Sequence, residues 1–319
     1  MSAPLDATKL RVTRTQNPSE PANPEILAFG NVFTDHMLQV EWTAAHGWHE
    51  PEIVPYGKLN IDPSAGALNY AVECFEGMKA YRDAQGMARL FRPEVNIARF
   101  NRSAARVIAS PVGSYYKKGV KALTLEATPS SDWVRAWPGG SGSYKVGANY
   151  GPCMMAEVEV KKRGSDQVLW LFGDDQLVTE AGTMNLFIVL RRPDLGGRRE
   201  LLTPPLDGTI LPGVNRDCVL QLAREKLEGP DFVVQERSIT MKELAAAGQA
   251  GNVEEVFGAG TAAIVCPIGS IRWAGQTIDC GLSPERKIGE VAGKMKDWIE
   301  ARQYGEDEHE WSVVVCPAA

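Results

Sequence analysis

Residues 135–152 read R-A-W-P-G-G-S-G-S-Y-K-V-G-A-N-Y-G-P. The stretch is rich in glycine and proline, so its backbone must turn sharply or approach another group closely. Lys145 lies in the middle, between small and aromatic residues, with no acidic residue nearby in the sequence to pair with it. A lysine enclosed in this way loses hydration, which lowers its pKa from about 10.4 toward the range of a nucleophile. The stretch therefore predicts either a reactive amine, which can condense with an aldehyde, or an ordinary surface lysine.

Six further motifs decide between these two interpretations. In content and order they resemble the branched-chain amino acid aminotransferases, which are pyridoxal-phosphate enzymes of fold type IV. The resemblance extends from about residue 29 to residue 311, in two blocks. The motifs are F-T-D-H-M-L at 33–38, F-E-G-M-K-A at 75–80, L-F-R-P-E-V-N-I-A-R-F at 90–100, T-E-A-G-T-M-N-L-F at 179–187, L-P-G-V-N-R at 211–216 and F-G-A-G-T-A at 257–262.

Composition excludes several classes of protein. A net charge of −6 and a pI near 5.4 argue against a nucleic-acid partner. No stretch approaches the 18 uninterrupted apolar residues of a membrane span. The six cysteines are scattered, without the spacing of a zinc site or a disulfide framework, so we expect reduced thiols and no metal. The N-terminus is a poor secretory signal and a weak mitochondrial one, which favours the cytoplasm and leaves the mitochondrial matrix open.

Hydrophobic periodicity predicts an α+β fold, since strands and helices intermix without a regular βαβ alternation. Together with the resemblance, it implies a two-domain architecture like that of D-amino acid aminotransferase. We expect an N-terminal arm at 1–28, a small α+β domain at 29–112 and a large α+β cofactor domain at 113–319. Predicted strands lie at 37–42, 120–127, 168–172, 184–190, 201–203, 232–239, 253–257 and 262–273, with a hairpin at 78–82 and 88–92. Predicted helices lie at 66–77, 150–163 and 213–227, from Pro93 with Ile97 and Phe100 on one face, from a Thr240 capping box to Gly251, and from Ser283 and Pro284 onward.

The small domain is predicted to be incomplete. The helical period that starts at Pro93 runs past Val107 into I-A-S-P-V-G, with no turn residues before Ile108. The resemblance implies several dozen additional residues at this point, including a strand whose tyrosine and arginine face the substrate. A skipped exon, a mis-drawn gene model and a deliberate truncation all fit the sequence.

The resemblance implies a role for each cofactor-binding residue. Lys145 would attach to the aldehyde of pyridoxal 5'-phosphate and later move a proton between two carbons. Glu180 would face the pyridine nitrogen, Tyr150 the phenolic oxygen and Leu211 one side of the ring, with Thr183 and Asn185 holding the loop around Glu180. The phosphate would be bound by Arg99, Gly213, Val214, Asn215, Gly260 and Thr261, since amides at the beginning of a helix attract anions.

The substrate pocket implied by the family is apolar, which suits leucine, isoleucine and valine, with glutamate and 2-oxoglutarate as the second pair. The matching positions could equally be plain core residues. The family also forms homodimers, whereas nothing indicates a membrane or nucleic-acid partner. The pocket positions are Phe29, Tyr70, Phe75, Thr183, Met184 and Ala262.

Three hypotheses remain at the level of the sequence. The chain is an active or weakly active branched-chain aminotransferase, or a catalytically impaired isoform or remnant that retains only cofactor binding or dimerisation. The third hypothesis keeps the fold but changes the chemistry, to transamination of D-amino acids or cleavage of aminodeoxychorismate. The spellings F-T-D-H-M-L and R-A-W-P-G-G disfavour the third.

Overall fold

The computed structural model describes residues 5–20, 32–43, 45–65, 67–68, 73–103, 121–282 and 286–316. The helices are α1 Pro93–Ser103, α2 Cys153–Lys162, α3 Val214–Lys226, α4 Met241–Gln249 and α5 Glu290–Gln303. The strands are β1 Arg11–Val12, β2 His36–Gln39, β3 Trp42–Thr43, β4 Gly47–Trp48, β5 Glu52–Pro55, β6 Ala80–Arg82, β7 Ala88–Phe91, β8 Leu123–Thr128, β9 Gln167–Phe172, β10 Leu177–Ala181, β11 Met184–Arg192, β12 Arg198–Thr203, β13 Phe232–Glu236, β14 Val253–Gly260, β15 Ile264–Trp273, β16 Gln276–Asp279 and β17 Ser312–Cys316.

A nine-stranded mixed sheet forms the centre of the molecule. Its strands follow the order β10-β9-β8-β15-β14-β11-β12-β13, with β16 beside β15. Because β10 also pairs with β11, the first six strands of this order close on themselves into a barrel. The run M-N-L-F-I-V-L at the start of β11 is buried at every position, as expected of a strand covered on both faces. The α+β fold class predicted from the sequence is confirmed.

Helices α3 and α5 cover one side of this sheet. Leu222 of α3 and Met295 of α5 belong to the same buried cluster as Phe187 of β11 and Phe257 of β14. The two phenylalanine rings stack with their centroids 5.2 Å apart, a geometry that contributes about 0.5–1.5 kcal/mol beyond area burial. On another part of the sheet, α2 packs its buried alanine and valine against β9. The packing of α3 and α5 on β11 and β14 holds the beginning of α3 against the barrel.

A second, three-stranded sheet joins distant parts of the chain. The predicted hairpin is confirmed as β6 and β7, and β17 adds to β7 as an antiparallel third strand. Trp311, just before β17, packs edge-on against Phe91 at 6.0 Å. The division of the chain into an arm and two domains remains a prediction. Strand β17, in the predicted large domain, pairs with β7 of the predicted small domain.

The strand predicted at 37–42 is divided into β2 and β3, and three predicted helices also differ from the structure. Helix α1 begins at Pro93 as expected, but it buries Asn96 and Arg99 beside Phe100 and leaves Ile97 exposed, because a polar cluster is buried under this helix. Residues 73–77 are not helical, since their backbone bonds to residues 145–147 instead. The last helix begins at Glu290, well after the predicted start at 283–284, and Gly289 is its N-cap.

Only the N-cap half of the capping box predicted before α4 is present, because the Glu243 carboxylate pairs with Arg237 at 2.9 Å. The Thr240 hydroxyl oxygen accepts a hydrogen bond from the Glu243 amide at 3.0 Å. We expect Thr240→Ala to lower the free energy of unfolding by about 1 kcal/mol, because that amide loses its partner. Thr240→Ser keeps the oxygen and is the matched control. Chemical denaturation measures both variants, and equal losses in the two would contradict the capping role.

Within the described part of the chain, no helix has both the length and the apolar character needed to cross a membrane. The junction between Val107 and Ile108 lies outside the described residues.

Candidate active site

Lys145 is held in place by its backbone. Its carbonyl oxygen accepts a hydrogen bond from the Phe75 amide at 3.0 Å, and its neighbour Val146 forms a bridge with Cys74. The side chain points between two aromatic rings, with Nζ 4.3 Å from the ring centroid of Phe75 and 5.1 Å from that of Tyr150. Nζ also donates a hydrogen bond to the Tyr150 hydroxyl at 3.0 Å. The glycine-rich stretch at 135–152 and the segment around Phe75 therefore enclose an amine, which was one of the two alternatives that the sequence left open.

The enclosure changes the acid–base properties of both groups. Burial lowers the pKa of the Lys145 ammonium group to about 8, and the positive charge of Arg99 adds to this effect. Burial also raises the pKa of Tyr150 to about 12, with help from the carboxylate of Glu180. At neutral pH part of the Lys145 population is thus the neutral amine, while the Tyr150 hydroxyl keeps its proton.

The lowered pKa predicts how Lys145 reacts with an acylating reagent. Only the neutral amine is a nucleophile, so its labelling in the folded apoprotein should rise with pH and reach half of its maximum near pH 8. Pulse labelling followed by peptide mass spectrometry measures this profile. The side chain of Lys121, 77% exposed, is the internal control. Parallel profiles for the two lysines over the whole pH range would contradict the prediction.

Glu180 is the second group of the site and lies on β10, fully buried. One carboxylate oxygen pairs with Nε of Arg135 at 2.6 Å. The other accepts hydrogen bonds from the Asn185 side chain at 2.8 Å and from the Leu211 amide at 2.9 Å. Burial raises the pKa of the Glu180 carboxyl, while the Arg135 charge and the Leu211 amide oppose that rise. The three donors hold an oriented carboxylate in the protein interior.

The turn that follows Glu180 requires a glycine. Gly182 has φ +56°, a left-handed conformation that other residues adopt at a cost, and a Cβ there would collide with the Gln167 side chain. Its carbonyl oxygen accepts a hydrogen bond from the Trp170 indole at 2.8 Å. The motif T-E-A-G-T-M-N at 179–185 is therefore the end of β10, a tight turn and the start of β11, which together fix Glu180 relative to Asn185.

The beginning of α3 is an anion-binding geometry. Gly213 is the N-cap, and no side chain of the described residues caps the helix, so its first amides lack side-chain acceptors. A Cβ on Gly213 would collide with the Asn185 amide oxygen, so only glycine lets the two elements approach. The Asn215 side chain donates to the Gly260 carbonyl at 2.9 Å, which ties the helix start to the F-G-A-G-T-A loop.

Arg99 lies close to this helix start, but its charge is already paired. Its guanidinium forms a bidentate ion pair with Glu76, in which Nε lies 2.7 Å from one carboxylate oxygen. A further nitrogen donates to the Pro212 carbonyl at 3.4 Å, in the motif just before α3. Both side chains of the ion pair are nearly inaccessible to solvent. Arg99, whose phosphate role stays a prediction, therefore lies near the helix start and is held by an acid that the sequence reasoning did not single out.

The predicted substrate-binding residues differ in their exposure to solvent. Phe75 is partly exposed and its ring lies 5.0 Å from that of Tyr150, beside the amine. Met184 is buried in a cluster with Ala263 and Cys266, and Thr183 and Ala262 are exposed. The Thr183 side chain makes no hydrogen bond among the described residues, so only Asn185 holds Glu180 as predicted. Phe29 and Tyr70 lie outside the described residues.

Sequence reasoning missed two residues of the site, Glu76 and Arg135. Both stand inside quoted motifs, F-E-G-M-K-A and R-A-W-P-G-G, so their positions were visible and their partners were not. Each contacts a partner far away in the sequence, Arg99 for Glu76 and Glu180 for Arg135. Within the described ranges no cluster of three or more histidine, cysteine, aspartate or glutamate side chains could hold a metal ion.

Comparison with known proteins identifies the family. The model of amino-transferase class IV matches residues 121–271. The cytosolic branched-chain-amino-acid aminotransferase of Saccharomyces cerevisiae is 42% identical over 372 aligned positions, covering 98% of this chain and 98% of the relative. The branched-chain-amino-acid aminotransferase of Dictyostelium discoideum is 40% identical, covering 98% and 96%.

A solved structure shares the fold. The crystal structure of the branched-chain amino acid aminotransferase from Thermobaculum terrenum, in its PLP-form, superposes with a TM-score of 0.63 at 20% identity. The superposition covers 82% of this chain and 95% of that one. Sequence identity over nearly the whole length and a shared fold thus agree, and the chain belongs to the family of branched-chain-amino-acid aminotransferases.

Proposed function

We propose that this protein transfers the amino group of leucine, isoleucine or valine to 2-oxoglutarate with pyridoxal 5'-phosphate as cofactor. The observation that carries the proposal is the partly buried Lys145 amine between the rings of Phe75 and Tyr150, whose pKa of about 8 leaves it reactive near neutral pH. Membership of the family supplies the reaction type, and the names of the relatives supply the substrate class.

The residues around Lys145 fit this cofactor. Three separate groups match its three polar features: an enclosed amine for the aldehyde, the buried Glu180 for the ring nitrogen and the uncapped start of α3 for the phosphate. When bound, pyridoxal phosphate supplies an electron-withdrawing ring that stabilises negative charge on the carbon next to the substrate amino group. The cofactor-binding set that we propose is Arg99, Lys145, Tyr150, Glu180, Thr183, Asn185, Leu211, Gly213, Val214, Asn215, Gly260 and Thr261.

Three side chains of this protein would have separate roles in the reaction. Lys145, partly neutral at pH 7, accepts a proton at Nζ and returns it, which is the role of a general base and acid. Tyr150 keeps its hydroxyl proton and holds Nζ in position through their hydrogen bond. Glu180 presents a carboxylate oriented by Arg135, Asn185 and Leu211, which favours a protonated group opposite it.

The specificity of the pocket is part of the proposal. Phe75 borders the amine and offers an aromatic wall to an aliphatic side chain. We assign Thr183, Met184 and Ala262 to the same pocket, together with Phe29 and Tyr70 from outside the described residues. An apolar wall with few polar groups suits leucine, isoleucine and valine.

A segment that the relatives possess is proposed to be missing between Val107 and Ile108. The alignment with the yeast relative extends over 372 positions, more than the 319 residues of this chain, so the relative has residues without a counterpart here. The small domain would then be truncated and the activity reduced. The alternative is an impaired isoform that retains only cofactor binding or dimerisation, and the same alignment length favours it.

Assembly, domain division and compartment complete the proposal. We infer a homodimer, an N-terminal arm at 1–28, a truncated small domain at 29–112 and a cofactor domain at 113–319. The relatives include cytosolic and mitochondrial proteins, and we propose a cytoplasmic location for this one.

The decisive experiment incubates the purified protein with pyridoxal phosphate and then with borohydride. We expect a stable adduct at Lys145 by peptide mass spectrometry, and leucine-dependent glutamate formation well below the rate of the yeast relative measured in parallel. A colourless protein without an adduct at this lysine would refute the proposal. A rate equal to that of the relative would refute the claim of reduced activity.

A further inference from the structure

Glu76 is a buried acid beside the Lys145 amine, and the proposed reaction gives it no role. It directly follows Phe75, whose amide donates to the Lys145 carbonyl and whose ring centroid lies 4.3 Å from Nζ. The side chain of Glu76 is only 7% exposed. One of its carboxylate oxygens also accepts a hydrogen bond from the Gly77 amide at 2.8 Å, which fixes the carboxylate against its own backbone. A charge held in this position acts on the amine with little screening by water.

The ion pair between Glu76 and Arg99 joins separate segments of the site. The two side chains meet through two contacts, and both are nearly inaccessible to solvent. Arg99 also donates to the Pro212 carbonyl at 3.4 Å, in the turn before α3. The end of α1 touches the segment of the amine, since the Lys145 amide donates to the Ser103 hydroxyl at 3.3 Å. The carboxylate therefore determines where the guanidinium lies, next to both the amine and the helix start.

The charged groups around Lys145 oppose one another in pairs. They are the ion pairs Arg99–Glu76 and Arg135–Glu180. Burial is the main cause of the lowered pKa of Lys145, the two arginines add to the shift, and the two glutamates oppose it. The Tyr150 hydroxyl, which accepts the hydrogen bond from Nζ, keeps its proton and adds no charge. Each acid thus cancels part of the effect of its arginine on the amine.

We propose that Glu76 is a positioning residue of the reaction: it fixes the Arg99 guanidinium between α1 and the turn before α3, and it offsets the positive charge of that guanidinium at the Lys145 amine. The inference rests on the proposed function, in which Lys145 must both accept and return a proton. Beside an unopposed guanidinium the amine would bind a proton too weakly to serve as both base and acid. Glu76 differs from Glu180 in acting through Arg99.

The test measures the pH dependence of Lys145 acylation in the apoprotein, by pulse labelling and peptide mass spectrometry. Glu76→Gln keeps the length of the side chain and an acceptor for Arg99 but removes the negative charge. We expect the pH of half-maximal labelling to fall from near 8 by roughly one unit, because the charge of Arg99 is then uncompensated. Glu76→Asp keeps the charge and should stay near the wild-type value.

A reciprocal variant keeps the test decisive if Glu76→Gln does not fold. Arg99→Gln removes the positive charge, so the pH of half-maximal labelling should rise by a similar amount. The double variant Glu76→Gln/Arg99→Gln loses both charges of the pair and should return to near the wild-type value. Opposite shifts in the two single variants are a result that simple loosening of the structure does not produce.

Glu200 provides the matched control, as another buried acid that pairs with arginines. It lies on β12 opposite Leu190 of β11, roughly 16 Å along that strand from Asn185 of the site. Glu200→Gln should lower the melting temperature without moving the labelling profile of Lys145.

Two outcomes would overturn the inference. An unchanged profile in Glu76→Gln and Arg99→Gln, or an equal shift in Glu200→Gln, would show that the Glu76–Arg99 pair is merely structural. Because labelling needs no cofactor, these results are independent of the proposed function. A wild-type protein that forms no borohydride-reducible adduct with pyridoxal phosphate would refute the proposed function instead, while the labelling profiles would still decide whether Glu76 offsets Arg99 at the amine.

Discussion

Replacing Lys145 with alanine should abolish both the covalent adduct with pyridoxal phosphate and transamination, with a loss of activity of at least about 10³-fold. The expected effect is this large because the amine attaches the cofactor and moves the proton, and such roles are not shared by neighbouring groups. Nζ is the only amine that the described residues place between the rings of Phe75 and Tyr150. Mass spectrometry after borohydride treatment and a coupled glutamate assay measure the two losses.

Two controls make this result specific to the amine. Lys121→Ala, at a side chain 77% exposed, should leave adduct formation unchanged. The variant Lys145→Ala should keep its fold. Near-ultraviolet circular dichroism, which reports on buried aromatic residues elsewhere in the barrel, checks this. An adduct that persists in Lys145→Ala, on any other lysine and with activity retained, would show that the catalytic amine was assigned to the wrong residue.

Arg135→Leu should destabilise the protein by about 3–5 kcal/mol, the largest effect on stability that we expect from a single polar residue. The substitution leaves the fully buried Glu180 carboxylate without its cationic partner, and an uncompensated buried charge is costly. Chemical denaturation of the apoprotein measures the change. The affinity for pyridoxal phosphate should also fall, because Glu180 loses one of the groups that orient it.

The chain offers a matched control for this prediction. Arg163 and Glu126 form an ion pair of the same kind at the same distance, with Nε 2.6 Å from a carboxylate oxygen, but their side chains are 49% and 18% exposed. Water screens this pair, so Arg163→Leu should cost no more than about 1 kcal/mol. If both variants lowered the free energy of unfolding by the same small amount, burial would not make the Glu180 carboxylate more dependent on its arginine.

Local sequence was enough to predict the parts of the site that are made by short segments. One of the two rings that enclose Lys145, that of Tyr150, lies five residues after it, and the helix start follows from L-P-G-V-N-R. The hairpin at β6 and β7 and the cap at Thr240 are likewise encoded within a few residues. These features needed no knowledge of what lies opposite them.

The remainder depends on contacts between segments distant in the sequence. Arg99 pairs with Glu76 from 23 residues away, which turns the buried face of α1 toward polar residues and leaves Ile97 outside. Residues 73–77 bond to the backbone around Lys145 and so leave the helix that their composition predicts. In each case a long-range partner outweighs local propensity, and no periodicity in a single segment reveals such a partner.

The strand β17 has a consequence for how the protein is made. It supplies the third strand beside β7, so a hairpin from the first third of the chain is completed by residues 312–316. On the ribosome, that hairpin emerges early, and this edge of β7 stays unpaired until residues 312–316 have been translated. Chaperone demand during synthesis should therefore fall on the region of the hairpin, while the barrel strands, which end at residue 273, are made before β17.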